Sequence, residues 1–443
     1  MRYFSLSVAL VALLVHWEPA AAWSGDSISA RLCHASCSAP GQTPDKDHLQ
    51  RILVRNGASN LLAEARQSAE ADDFQNAVIL YRRYLDLNPN DDKAVEELLG
   101  VATQHSLPRE SKSLRLAQEA LPRQFRTHET RRFIVLSDAD PQWTRQQAER
   151  LERAHHQFHR FARRHGLEPL PLEHKLVCIL FEHYDDYREF AMNHDEVADP
   201  WIAGYYAPAD DRIVFYNIES NPDLLRARTK LSQLERDMNI IIGEADQAEQ
   251  SGDTARAETL RHNASQYHDH MQSERERIES FAKQVMTATT VHEAVHQIAF
   301  HTRVQSPFVH YPLWISEGMA TAFETDTPGQ AFGPDHDYAP RRDTFEDLLG
   351  KQQLLPVAEL VQLTDLNGAP SWYVRAVYHQ SYALFTWMNR FRAEDLRTYL
   401  QRMREQPPGR QSRERHLKIF TECFGDPDRL ERAWLRHEKR SLN

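Results

Sequence analysis

Two histidines four residues apart, His292 and His296 in Val291-His292-Glu293-Ala294-Val295-His296, constrain this chain more than any other feature. On an α-helix that spacing sends both imidazoles out from one face, about one turn apart, where they can share one ion. Glu293 then stands beside them, placed to take a proton from a metal-activated water. The local pattern supports the helix. Val291, Val295 and Ile298 recur at i, i+4 and i+7, and neither Gly nor Pro interrupts Phe281 to Val304. A chain that uses the pair must fold so that a third ligand reaches the same helical face. The alternative is a surface helix with two solvated histidines.

A candidate third ligand follows in Trp314-Ile315-Ser316-Glu317-Gly318, where Glu317 lies 21 residues beyond His296. Its neighbours Leu313, Trp314, Ile315, Met319, Ala320, Ala322 and Phe323 are apolar or small. An unpartnered carboxylate would be costly to bury among them, and a metal resolves that cost. Two His and one carboxylate leave a fourth position open, which is the donor set of a catalytic zinc. If the segment is exposed instead, Glu317 is an ordinary acid in the first turn of a helix.

H-E-A-V-H followed by W-I-S-E-G-M-A resembles the gluzincin metallopeptidases, in which two His and a downstream Glu hold zinc. A closer resemblance is to a bacterial gluzincin-like domain family whose function is largely undescribed. Arg132-Phe133-Ile134-Val135-Leu136-Ser137, Gly204-Tyr205-Tyr206 and Tyr378-His379-Gln380-Ser381-Tyr382-Ala383-Leu384 carry it further, over roughly residues 128–440. The resemblance implies Zn2+ held by His292, His296 and Glu317, with Glu293 as general base. Gluzincin aminopeptidases place an oxyanion-binding Tyr in a Y-E-K-G-A-like helical segment. Tyr378-His379-Gln380-Ser381-Tyr382-Ala383 is similar, which makes Tyr378 the candidate donor, with Tyr382 and His379 in reserve. The other reading of Tyr378 is a packed helix aromatic.

Two departures from the pattern matter. Gluzincins often carry an acid four residues after the ligand Glu to orient a ligand His, but Thr321 stands there; Glu324, a turn further on, is the substitute candidate. There is also no G-A-M-E-N-like stretch for a free peptide N-terminus, which favours endopeptidase action or a restricted substrate. The implied function is a secreted zinc-dependent peptidase acting on a peptide or protein. Two other functions fit the residues: a catalytically idle zincin-fold scaffold that binds a partner through its helical N-terminal region, and a zinc hydrolase of non-peptide substrates.

Composition bounds the rest. With 443 residues, 41% of them hydrophobic, the chain can bury the cores of two or three domains. A formal charge of −11 argues against nucleic acid as a main partner. At the N-terminus Arg2, an apolar run from Phe4 to Val15 and Ala20-Ala21-Ala22 before Trp23 read as a signal peptide over residues 1–22. The run is too short to span a bilayer, so the expectation is a secreted or periplasmic protein without stable membrane insertion; a retained anchor is the alternative. In an oxidising compartment Cys33 could pair with Cys37 and Cys178 with Cys423, but four cysteines allow three pairings.

Taken in order, residues 23–48 form a flexible leader rich in Ser, Ala, Pro and Asp. Residues 49–122 are helical, and Ala65, Phe74, Ala77, Tyr81, Leu85 and Pro89 resemble one tetratricopeptide unit, either a docking module for a protein partner or a helical cap. Pro122 to Glu129 is the boundary before a catalytic region over 128–443. There Phe133–Leu136 and Lys175–Phe181 read as strands, Gln142–His165 as an amphipathic helix and Ala203–Tyr216 as a hairpin. Gly204–Tyr206 is the candidate edge for pairing with an extended peptide, or else part of an ordinary hairpin. Residues 222–285 predict a long helical hairpin turning at Ser251-Gly252-Asp253, with an apolar seam of Leu231, Leu234, Met238 and Ile241. His155, His156 and His159 read as a wet helix face. The fold class is α+β and mostly helical: a zincin-like domain with a small mixed sheet, preceded by a short helical repeat-like region.

Overall fold

The computed structural model describes residues 58, 60–88, 91–102, 107–197 and 203–441. The signal peptide, the leader, Cys33 and Cys37 lie outside the described residues. Among those described, no helix is long and apolar enough to cross a membrane.

Helices dominate, around one five-stranded sheet of order β1-β2-β3-β5-β4. The strands are β1 (Arg126–Glu129), β2 (Phe133–Ser137), β3 (Leu176–Phe181), β4 (Gly204–Ala207) and β5 (Arg212–Tyr216). The inner strands β2, β3 and β5 run parallel, with Phe133 opposite Leu176 and Val177 opposite Arg212. Every residue of these strands is buried, which is why F-I-V-L-S, L-V-C-I-L-F and R-I-V-F-Y are near-continuous apolar runs without alternation. β1 and β4 are antiparallel additions at the two edges. β1 falls inside the stretch expected to be only a boundary. Its sequence R-T-H-E is mostly exposed and carries no apolar signal, so the strand exists because β2 offers it a partner.

The crossover from β2 to β3 is the helix Pro141–Arg164, started by Asp140, whose side chain accepts from the Gln142 and Trp143 N–H groups at 2.9 Å, with proline in the first turn. After β5 comes the expected hairpin of long helices, Pro222–Gln250 and Thr254–His301, joined at Ser251-Gly252-Asp253. The second runs unbroken for 48 residues and carries both histidines of the H-E-A-V-H stretch near its end. Its first half is mostly exposed, whereas Val285 through Ala299 are all buried. A helix enclosed on every side needs no amphipathic stripe there.

That enclosed end is fixed at three places. Gln297 donates to the carbonyl of Val177 on β3 and to that of Asp211 in the turn before β5, both at 3.3 Å. Thr290 donates to Gln147 of the crossover helix at 3.2 Å. The helix C-terminus is held by two guanidinium groups: Arg82 donates to the His301 carbonyl at 2.6 Å and Arg303 to that of Phe300 at 2.8 Å. Cations at this end complement the exposed carbonyls and the helix dipole. Arg82 comes from the N-terminal helix Phe74–Leu87, which packs against Asp92–Ala102 around its own small core of Ala77, Tyr81, Leu85 and Leu98. Asp86 of the same helix pairs with Arg303.

Beyond the long helix lie Leu313–Ala322, Ala339–Gly350, the short turn Val357–Leu360 and Ser371–Phe391. Three more helices, Ala393–Arg404, Arg413–Phe424 and Pro427–Ser441, close the chain. Leu313–Ala322 crosses Ser371–Phe391 so closely that a Cβ on Gly318 would lie 2.7 Å from the Ser381 carbonyl oxygen. The anticipated pairing of Cys178 with Cys423 does not occur, because both are free and Cys178 is buried in the middle of β3.

Candidate metal centre

Helix Thr254–His301 presents His292 and His296 on one face, as their spacing requires, with Nε2 atoms 3.2 Å apart. Helix Leu313–Ala322 brings Glu317 to the same point, its Oε2 3.2 Å from His292 Nε2 and its Oε1 3.6 Å from His296 Nε2. All three residues are buried. Donors at bond lengths of about 2.0–2.1 Å around a tetrahedral ion stand roughly 3.3 Å from one another. The observed spacings are close to that edge.

The fit is also electrostatic. Among the described residues, Glu317 Oε1 is fully buried and accepts no hydrogen bond, an expensive state for a carboxylate oxygen unless a cation faces it. Burial alone would raise the Glu317 pKa, but the imidazoles of His296 and His292 outweigh it and hold the group well below the usual carboxylate range. For His292 burial acts downward and is overcome by the carboxylates of Glu317 and Glu324, which lift its pKa to about 10. The two flanking acids thus favour the protonated His292 ring wherever no ion is bound. A buried His₂Glu set of this kind can hold a metal ion.

Glu324 takes the place of the acid missing at Thr321. Its Oε1 accepts from His292 Nδ1 at 2.9 Å, fixing the ring so that Nε2 faces the shared point. The sequence gives no hint of what holds Glu324. Arg341, on helix Ala339–Gly350, grips both its oxygens, with Nε and Nη2 each at 2.7 Å. Burial opposes ionisation of Glu324, but the Arg341 guanidinium prevails and lowers its pKa. Arg341 stands in an ordinary polar run, Pro340-Arg341-Arg342-Asp343, and no local signal marks it. Thr321 itself turns back onto its own helix, where its hydroxyl donates to the Glu317 backbone carbonyl at 2.7 Å.

Glu293, buried beside the histidines, accepts the backbone N–H of Tyr206 at 2.9 Å. Tyr206 is on β4, the terminal strand of the sheet, so the G-Y-Y stretch does lie alongside the helix that carries His292 and His296. Gly204 makes this approach possible, because a Cβ there would come within 3.1 Å of Thr289 on the helix and 2.7 Å of Phe215 on β5. The Tyr206 hydroxyl donates to Asp211 at 3.1 Å, anchoring the strand from its other side.

The Tyr378 region falls less neatly. Tyr378 is completely buried in a small cluster with Val374, Leu366 and Ala369, within electrostatic reach of Arg341. Of the two reserves, Tyr382 has its hydroxyl occupied as acceptor of the Tyr338 N–H at 2.9 Å, and His379 is fully buried. The expectation for His155 fails. It does not belong to a wet face but is 5% exposed, whereas His156 is exposed as expected.

Residues 286–409, which include His292, His296, Glu317, Glu293, Glu324, Arg341 and Tyr378, match a sequence family described as a protein of unknown function (DUF1570). No curated protein and no solved structure matches the chain.

Proposed function

We propose that the protein is a zinc-dependent metallopeptidase of gluzincin type, with His292, His296 and Glu317 as the metal ligands. The observation that carries this reading is the convergence of those three side chains at near-tetrahedral spacing, with one Glu317 oxygen buried and, among the described residues, accepting no hydrogen bond. Zinc, when bound there, supplies Lewis acidity that lowers the pKa of a water and polarises a scissile carbonyl. Glu293 accepts the water proton and passes it to the departing amine. The Tyr206 N–H keeps the Glu293 carboxylate aimed while it does so. Glu324 and Arg341 hold the His292 ring in register. Peptide as the substrate rests on the resemblance to the gluzincin peptidases; β4, the terminal strand, runs beside the base but is buried, with its Tyr206 N–H taken by Glu293. Tyr378 is the assigned oxyanion donor, through the resemblance of its helix, and Tyr378→Phe should lower turnover about a hundredfold or more.

The N-terminal helices, with their tetratricopeptide-like pattern, act in this reading as a cap on the catalytic region. Their buried Arg82 and the Asp86–Arg303 pair secure the end of the metal-bearing helix. Export of the protein is part of the same proposal. It is tested by a peptide-library digest of wild type against Glu293→Gln with bound metal quantified. About one zinc per chain in both, with cleavage only in wild type, is the expected result. Full cleavage by the variant would end the mechanism.

A further inference from the structure

The buried His155 opens onto a second feature, remote in character from the metal-donor set. A cavity of about 710 Å³ lies between the crossover helix Pro141–Arg164, the turn between β1 and β2, and the segment entering β3. Although the chain as a whole is acidic, at −11, the described residues that line this cavity include four arginines, one lysine and three histidines against a single carboxylate, Glu129. Glu129 is already paired, with Lys175 at 2.6 Å and Arg109 at 3.4 Å. Arg132 is likewise neutralised by Glu152 at 2.8 Å. Among the described residues, Arg131, Arg160 and Arg163 have no carboxylate partner. Three exposed guanidinium groups therefore line one cavity with no carboxylate of the described residues paired to them.

The buried side of the cavity is no less polar. Among the described residues, neither ring nitrogen of His155 has a hydrogen-bond partner, although the residue is 5% exposed, and His159 Nε2 is in the same state. Their rings stack at 4.2 Å. Leaving such nitrogens dry costs free energy unless a ligand or water meets them. Burial first, then the charges of His159, Arg132, His156 and Arg131, push the His155 pKa well down, a sign of the positive field that an anion would relieve. Pro171 and Leu172 add an apolar wall.

We infer that this cavity binds a small organic phosphate ester, its phosphate held by Arg131, Arg160 and Arg163 and its body lying over Pro171 and Leu172. Guanidinium forks match phosphate oxygens in geometry as well as charge, and the buried imidazoles supply further donors. The volume suits a ligand larger than a bare anion.

The test uses the full chain and isothermal titration with glucose 6-phosphate and ribose 5-phosphate. Glucose, ribose, inorganic phosphate and acidic phospholipid vesicles serve as comparisons. Saturable binding of at least one ester, weakened at least tenfold in Arg160→Glu/Arg163→Glu and by added salt, is the expected outcome. Both arginines are exposed, so this variant should melt like wild type. Glu293→Gln should bind the ester normally, which separates this site from the peptidase reading. Absence of saturable binding, equal affinity for inorganic phosphate, binding of vesicles but not esters, or an undiminished signal in the charge-reversed variant would each overturn the inference.

Discussion

Replacing Glu324 by Gln should separate what holds the fold from what holds the metal. The side chains of Glu324 and Arg341 are 2% and 0% exposed, and two contacts of 2.7 Å join them. Gln keeps the shape but loses the charge, and it presents a donor where His292 Nδ1 and Arg341 both donate. Removing one partner from a buried pair strands the other charge and costs about 3–5 kcal/mol. The orientation of His292 loosens as well, which should weaken metal binding about 10–100-fold. The double variant Glu324→Leu/Arg341→Met removes both charges at similar volume. It should regain most of the lost stability, because apolar replacement of a buried pair is often neutral. Metal affinity should not recover. Urea unfolding with the metal chelated gives the first quantity, and chelator competition gives the second. A single variant costing under about 1 kcal/mol and binding metal as tightly as wild type would refute the claim that this pair organises the site.

Other consequences follow from the same contacts. Because His292 has its pKa lifted to about 10, metal must displace a proton from it at neutral pH; affinity should rise with pH by about one log unit per unit, and calorimetric enthalpies should depend on the buffer. The sign reverses for stability of the metal-free protein. A raised folded pKa stabilises fully below the unfolded value of about 6.5 and is lost as pH climbs through about 10, so the metal-free chain should weaken from neutral to alkaline pH while the loaded one does not. Gly318→Ala pushes a methyl to 2.7 Å from a backbone oxygen that cannot swing aside, and should cost about 1–3 kcal/mol in urea unfolding. Arg82→Ala removes the charged donor to the His301 carbonyl and should cost about 1.5–3 kcal/mol, with metal content unchanged; an unaltered midpoint would show that the N-terminal helices do not brace the helix that carries His292 and His296.

What the sequence revealed, and what it hid, divides along chain separation. His292 and His296 meet because helical geometry alone puts four-residue neighbours on one face, and the long-helix hairpin was legible from its seam and its turn at Ser251-Gly252-Asp253. Glu317 was legible because a lone acid in an apolar run needs a partner wherever it folds. His155 could have been found in the same way. It falls at i+4 from Leu151 and i−3 from Phe158, both fully buried, so it sits on the apolar stripe of its helix and not opposite it. Arg341 and β1 had no such local trace. Arg341 acquires its role from Glu324, 17 residues away, and β1 from the neighbouring strand that pairs with it. The ligands of such a site thus betray themselves by spacing, while the groups that aim them are set by packing between helices that each look ordinary. The Glu324–Arg341 pair is buried, charged and without a local motif, so its conspicuous cost must be offset by the orientation of His292 if the metal centre is what this fold is built around.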